Sequence, residues 1–254
     1  MLHIKKNQPS PAINRSIATI KSRPSWRQAN EPDAIRDHFD LLDKGAVRLS
    51  LLEEQHGLCA YCMKRITNDG LVTSIEHWVP LSKDKALALD YNNFLAVCKG
   101  GADITMNSGE RRVLCCDAHK ADDSDLTISP FDQLMMDHIA YDSYGVIKFL
   151  PKQDYSPGMA EAISNDINNT LQLNGIIGKN GRLEADTSTR LRKGRKDAYE
   201  AAKAKIAILR KRGKLSVAFL DNEINTLINA QERPEYAGVT LFVFQAERKR
   251  LLSK

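Results

Sequence analysis

With 254 residues, 42% hydrophobic and 27% charged, the chain is long enough for one large domain or two small ones with a real core. No apolar run could span a bilayer, and "MLHIKKNQPSPAINR" lacks the apolar centre of a secretory signal, so no membrane partner and a cytoplasmic location are expected. The net charge of +5 is uneven: residues 190–214 hold eleven Lys/Arg against two Asp/Glu, which leaves −4 for the rest.

Residues 1–30 read as irregular, broken by Pro9, Pro11 and Pro24. From Glu31 to Gln55 the spacing of Ile35, Phe39 and Leu42, then of Val47, Leu51 and Leu52, predicts two helices, with Gly45 between them. Residues 56–125 change character: turn residues, short apolar runs and every cysteine gather there. "LVTSIEH" and "NFLAVC" predict two strands. The glycine-rich "KGGADITMNSGERRVL" predicts a loop, and "CDAHKADDSD" the start of a short helix.

After residue 126 the chain reads as mostly helical. Ala160 to Leu173 has helical spacing and stops at Asn174-Gly175. Asp186 to Arg212 predicts a helix with Ala198, Ala202, Ile206 and Leu209 as its apolar stripe. A last helix is expected over Ala218 to Gln231, ending at Arg233-Pro234. The basic run could lie along a polyanion, but a charge run by itself is better read as a solvated helix face.

The five cysteines fall in one quarter of the chain, an odd and clustered set that reads as metal ligands rather than a disulfide framework. Cys59 and Cys62 have the spacing with which a tight turn clasps one zinc ion. One such pair is a weak signal; Cys98, and one of Cys115 and Cys116, would complete a tetrahedral set. Cys98 is assigned to zinc because it closes the four. Cys115 is read as an ordinary buried thiol and Cys116 as the ligand. Four thiolates leave no open position, so the ion would be structural.

In "TSIEHWVP", Glu76 and His77 stand together where a strand ends, two residues before Pro80. Adjacent strand side chains face opposite ways, but a strand end relaxes that rule, so both could reach one site. His77 can take a proton from water near neutral pH. Glu76 can offer a hard oxygen to Mg²⁺ or Mn²⁺. Asn93 could bond backbone near His77 and orient it. A lone histidine is usually structural; an acid beside it within a cysteine cluster favours chemistry.

"CAYC", "IEHWVPLSK", "YNNFLAVC" and "CCDAHK" together resemble an HNH nuclease with a ββα-metal core. The ordered match runs through Cys59, Cys62, Glu76, His77, Pro80, Asn93, Cys98, Cys116 and Lys120. The resemblance implies an α+β chain with a zinc-stapled core over 51–125, preceded by an arm and helices over 1–50. A mostly helical docking region over 126–254 follows. It implies a divalent catalytic ion at Glu76 and Asp117, catalytic roles for His77, Asn93 and Glu76, and phosphate contacts from Lys120, Arg111 and Arg112. Asp117 stands where the family usually has His or Asn. Asp117 and His119 lie about 200° apart on a helical turn; Asp117 is favoured as the ligand, and His119 stays a candidate.

With "MLHIKK", "LLEEQHGLCAYC", "LTISPFD" and "LQLNG" added, the chain resembles the PtuB-type subunits of Septu anti-phage systems and their retron-associated relatives. Within that family "CDxxK" is common. The resemblance implies hydrolysis of DNA or RNA in anti-phage defence, with an ABC/SMC-like ATPase partner of the PtuA type. In the retron branch it adds a reverse transcriptase and its RNA–DNA product. No GxxxxGK[ST] motif occurs, so an ATPase function must lie elsewhere. The competing reading is a non-catalytic zinc module that binds nucleic acid or a protein partner.

Overall fold

Pro11 and Pro24 start helices here instead of breaking the chain. The computed structural model describes residues 1–109, 111–120, 124–151 and 155–253. Helices α1 (Pro11–Ser22), α2 (Pro24–Gln28) and α3 (Pro32–Phe39) each open on proline. The first helical N–H has no partner within the helix, so proline costs nothing there and its φ is already set. Residues 1–30 are thus largely helical, not irregular as expected. The Ser10 side chain caps α1 by accepting from Ile13 N at 3.4 Å. Helix α4 (Lys44–Glu54) is capped by Asp43, which accepts from Ala46 N at 3.0 Å. The break between α3 and α4 therefore falls before Gly45, which sits in the first turn of α4. Ahead of α1 the chain is pinned: Ile4 N donates to Pro130 O at 2.8 Å, and Lys6 Nζ reaches Glu54 at 2.7 Å and Phe94 O at 3.1 Å.

Strands β1 (Thr73–His77) and β2 (Phe94–Cys98) pair antiparallel, from Thr73 opposite Cys98 to His77 opposite Phe94. Both lie where the sequence predicts strands. All five β2 residues are buried, as an unalternating apolar run requires. At Ala96 the other edge of β2 is covered by a side chain. Gln55 Oε1 accepts from Ala96 N at 2.8 Å and its Nε2 donates to Ala96 O at 2.7 Å, as a neighbouring strand residue would. Residues 99–109 and 111–115 form no regular element, in line with the expected loop. The expected short helix after Cys115 is a single 3₁₀ turn, Cys116–Ala118. The rest of that expectation runs into residues 121–123, outside the described residues.

The second half holds α5 (Gln133–Met136) and a hairpin of β3 (Ile139–Tyr141) with β4 (Ile147–Phe149). Next comes α6 (Pro157–Asn165), widening into a π turn over Asp166–Thr170. A second hairpin pairs β5 (Ile176–Ile177) with β6 (Leu183–Ala185). Neither hairpin is foreseen by the helical reading. Helices α7 (Leu191–Lys211), α8 (Val217–Asn229) and α9 (Ala237–Leu252) complete the chain. Helix α7 starts five residues later than expected because Asp186 caps it from outside, accepting from Arg192 N at 3.1 Å and Lys193 N at 3.0 Å. Arg195, in the basic run, is fully buried and neutralised by dipoles: it donates to Gly145 O, Leu173 O and Asn174 Oδ1. The expected last helix is α8, and α9 is additional.

The chain is α+β, its sheets two-stranded among the described residues. One large core draws on residues from Met1 to Val239, and a smaller one joins α7, α8 and α9. No described helix is long and apolar enough to cross a membrane.

Candidate metal centre and its neighbouring polar groups

The "CAYC" turn folds back on itself. Cys59 N donates to Lys64 O at 2.8 Å, Met63 N donates to Cys59 O at 3.0 Å, and Met63 takes a left-handed φ of 63°. This aims Cys59 and Cys62 at the end of β2, where Cys98 lies. Cys116 comes from the far side of the loop. Its approach depends on Gly100, whose φ is +58°; a Cβ there would meet Cys115 O at 2.0 Å. The four sulfurs lie within 4.8 Å of one another and all four residues are buried. Cys62 and Cys98 are 3.7 Å apart and Cys98 and Cys116 3.8 Å apart. A tetrahedral zinc ion with Zn–S bonds of about 2.3 Å requires sulfurs about 3.8 Å apart, so the cluster fits the ion. Burial opposes ionisation of Cys59, but bonds from Cys116, Cys62 and Cys98 outweigh it and hold that thiol well below its ordinary range. Cys115 stays outside: its sulfur contacts Gly100 O at 3.6 Å and Thr189 Oγ1 at 3.4 Å.

Glu76, in β1, is buried next to this clasp. Tyr61, the third residue of "CAYC", donates its hydroxyl to Glu76 Oε1 at 3.3 Å. Lys120 bonds the same oxygen and lies 3.4 Å from His77 O. Asp117 sets its carboxylate against that of Glu76. Burial and the Asp117 charge push Glu76 up to about 8, against the pull of Lys120. A buried carboxylate beside a half-buried one is a donor set suited to a divalent cation.

His77 makes separate contacts, with Phe39 at 4.5 Å and Phe94 at 5.1 Å between ring centroids. Both Glu76 and His77 lie within the regular β1–β2 ladder, so the strand does not relax at His77 as the sequence suggests, and adjacent side chains there leave opposite faces. His77 Nε2 lies 3.0 Å from Ala88 O. A carbonyl only accepts, so Nε2 carries the proton and Nδ1 keeps the lone pair. Burial pulls the imidazole down to about 4, with Lys44, Arg36 and Lys120 pushing the same way against the Ala88 bond. Asn93 acts one step further out. Its Oδ1 accepts from Val79 N at 2.8 Å, and its Nδ2 donates to Val79 O at 2.9 Å and Leu87 O at 3.2 Å. It thereby fixes both ends of the 79–87 loop that carries Ala88 to His77.

The remaining sequence candidates are dispersed. His119 Nδ1 bonds Thr170 O at 3.2 Å. Arg112 is tied to its own loop, donating to Gly101 O, Ala102 O and Ile104 O. Arg111 is exposed, whereas Lys120 is buried against Glu76 instead of facing solvent. The sequence reading missed two groups. Tyr61 joins the cysteine turn to Glu76. Lys44 stands 2.9 Å from the Phe39 ring centre, on the ring that packs against His77. Burial holds Lys44 down to about 8, Arg36 and Arg48 adding to the effect and Asp40 opposing it. The signal for Lys44 was faint: one lysine at a helix start, five residues after an aromatic.

Fold and centre together define an α+β protein with a buried four-cysteine cluster able to hold a metal such as zinc. No protein-family model matches the chain. A curated relative, the Septu protein PtuB of Bacillus thuringiensis, is 25% identical over 100 residues, covering 39% of this chain and 35% of that protein. The chain thus matches about a third of that relative's length. The likeness supports a distant relation to Septu defence.

Proposed function

We propose that the chain is a metal-dependent HNH nuclease that hydrolyses phosphodiester bonds of DNA or RNA in anti-phage defence. Its partner would be an ATPase of the PtuA type. In this reading residues 51–125 form the zinc-stapled catalytic core and 126–254 a docking region for nucleic acid or partner. A retron reverse transcriptase with its RNA–DNA product is a further candidate partner. The observation that carries it is the pairing of Glu76 with Asp117 one residue from a histidine whose tautomer is fixed. The PtuB likeness supports the defence part of this reading.

Zinc in the four cysteines would hold the "CAYC" turn, the end of β2 and the Cys116 turn in register. Glu76 and Asp117 would hold Mg²⁺ or Mn²⁺, which when bound supplies charge neutralisation at the scissile phosphate. His77 stays neutral across the physiological range, so Nδ1 is available to take a proton from water. Asn93 keeps it there by fixing the loop that bears Ala88. Lys44, Arg36 and the exposed Arg111 supply positive charge for the phosphate backbone, contacts that carry no sequence information. His119 has no part in this scheme while it bonds Thr170. The mechanism requires the end of β1 to present His77 and the carboxylate pair to one phosphate.

One observation favours a second reading, a non-catalytic zinc module: His77 is only 7% exposed and packed between Phe39 and Phe94. The test is cleavage of plasmid DNA and of RNA with Mg²⁺ or Mn²⁺. We expect His77→Ala to lose at least about a hundredfold in rate, the usual scale of a lost general base. Equal cleavage by His77→Ala and wild type would sink the nuclease mechanism and leave the zinc module.

A further inference from the structure

We propose that Lys120 is the resident cation of the Glu76–Asp117 pair, that the divalent ion displaces its ammonium, and that nucleic acid favours the exchange by receiving that ammonium on a phosphate. The inference rests on the metal-dependent reading above and adds an order of events to it.

Lys120 is unusual for a candidate phosphate contact. Its side chain is 3% exposed and that of Glu76 is 10% exposed. The ammonium bonds Glu76 Oε1 and reaches His77 O at 3.4 Å. Both acceptors belong to β1, and the Lys120 backbone N–H donates to Cys116 O at 3.1 Å. Lys120 therefore sits on the same turn as Asp117 and a member of the cysteine cluster. Its Cα is held by that turn, while four methylenes leave the ammonium able to move.

Charge balance decides what the ammonium can do. With both carboxylates ionised, as a bound cation requires, Lys120 leaves one negative charge. With a divalent ion and Lys120 together, the same place carries one positive charge. Buried charge without a partner is costly, so ion and ammonium compete for Glu76 Oε1 while no further anion is near. One phosphodiester cancels the excess, and the carboxylates, the ion, the ammonium and the phosphate then sum to zero. Ion and nucleic acid should therefore each raise the affinity for the other, by the same factor in both directions.

The test uses the zinc-loaded protein and Mn²⁺ binding read by electron paramagnetic resonance. Lys120→Met removes the competing charge and should tighten Mn²⁺ about tenfold, within the usual span of coupling between sites. Zinc content and circular dichroism check that the variant is folded. Unchanged or weaker Mn²⁺ binding in folded Lys120→Met overturns the inference. If Glu76→Gln leaves Mn²⁺ binding as it was, the ion is not at these carboxylates, and the metal reading falls instead.

Wild type gives a second readout that needs no variant to fold. Mass spectrometry of amine acetylation should show Lys120 protected without Mn²⁺ and labelled at saturating Mn²⁺; continued protection overturns the displacement. Phosphorothioate oligonucleotides, one DNA and one RNA, complete the set. At least one should tighten Mn²⁺ several-fold in wild type and not in Lys120→Met. No tightening in wild type, or equal tightening in both proteins, overturns the coupling to phosphate.

Discussion

The cysteine-stapled region and the C-terminal helices reach burial by opposite routes. Around Cys59, Cys62, Cys98 and Cys116 the backbone is mostly turns and loop, with one two-stranded sheet. Backbone bonds close each turn, among them Cys59 N to Lys64 O and Cys116 N to Leu171 O, and a metal shared by the four sulfurs would tie the turns to one another. In α7–α9 the backbone satisfies itself, and Ala202, Ile206, Leu220, Ile224, Leu241, Val243 and Phe244 pack between helices. One region adds a set of metal-ligating atoms to its share of the large core, and the other rests on apolar area between regular helices. The two should therefore fail under different insults.

The largest expected effect is on the cluster. Structural zinc sites in small domains are worth on the order of 10 kcal/mol. Cys59→Ser, or a strong chelator, should strip the metal and abolish the cooperative melting of the region around β1 and β2. Metal analysis with hydrogen exchange would show it. Cys115→Ser should keep the metal, because that sulfur is engaged by Gly100 O and Thr189 Oγ1. A Cys59→Ser protein with full zinc content and native exchange protection would remove the basis of the comparison.

The same division explains what the sequence could reveal. The cysteine spacing and the two strands can be read locally, because each is a residue type at a fixed offset. Lys120 and Arg112 could be recognised as cations, but not their engagement: one faces Glu76 and the other its own loop, which only the folded chain decides. Nothing in the sequence marks Tyr61, between two cysteines, as the partner of Glu76. Helix α9 was hidden for a different reason. Its run "VTLFVF" is β-branched and aromatic, and one side meets α7 and α8 while the other meets Met1, Met63 and β3. A helix buried on several sides shows no amphipathic period. The prolines of α1 and α2 misled because proline's meaning depends on whether it falls at the first helical position or later.

A cavity in the helical unit is the next test by size. Phe244 is 2% exposed within the second core. Phe244→Ala should cost about 3–5 kcal/mol, read by chemical denaturation, with zinc content unchanged. If Phe244→Ala also released zinc, the two regions would form a single cooperative unit and the contrast would fail.

The smallest effect concerns charge at the far end of those helices. Glu247 joins α9 to α7, its Oε1 accepting from Arg210 at 2.6 Å, while Arg250 grips both carboxylate oxygens. The bond from Arg250, then that from Arg210, holds Glu247 down to about 2 against the opposing effect of burial. Its folded pKa thus lies below the unfolded one. The stabilisation is fully present above the ordinary glutamate range of about 4.3. It is lost as pH falls from there through about 2. Both arginine side chains are well exposed, so solvent screening keeps the contribution to about 1 kcal/mol. Glu247→Gln should therefore be less stable than wild type at pH 7 by about that amount, and the gap should close on acidification below pH 3. Denaturation at both pH values checks it. A gap that stays constant with pH would assign Glu247 a packing role, and the helical unit would then rest on apolar contacts alone.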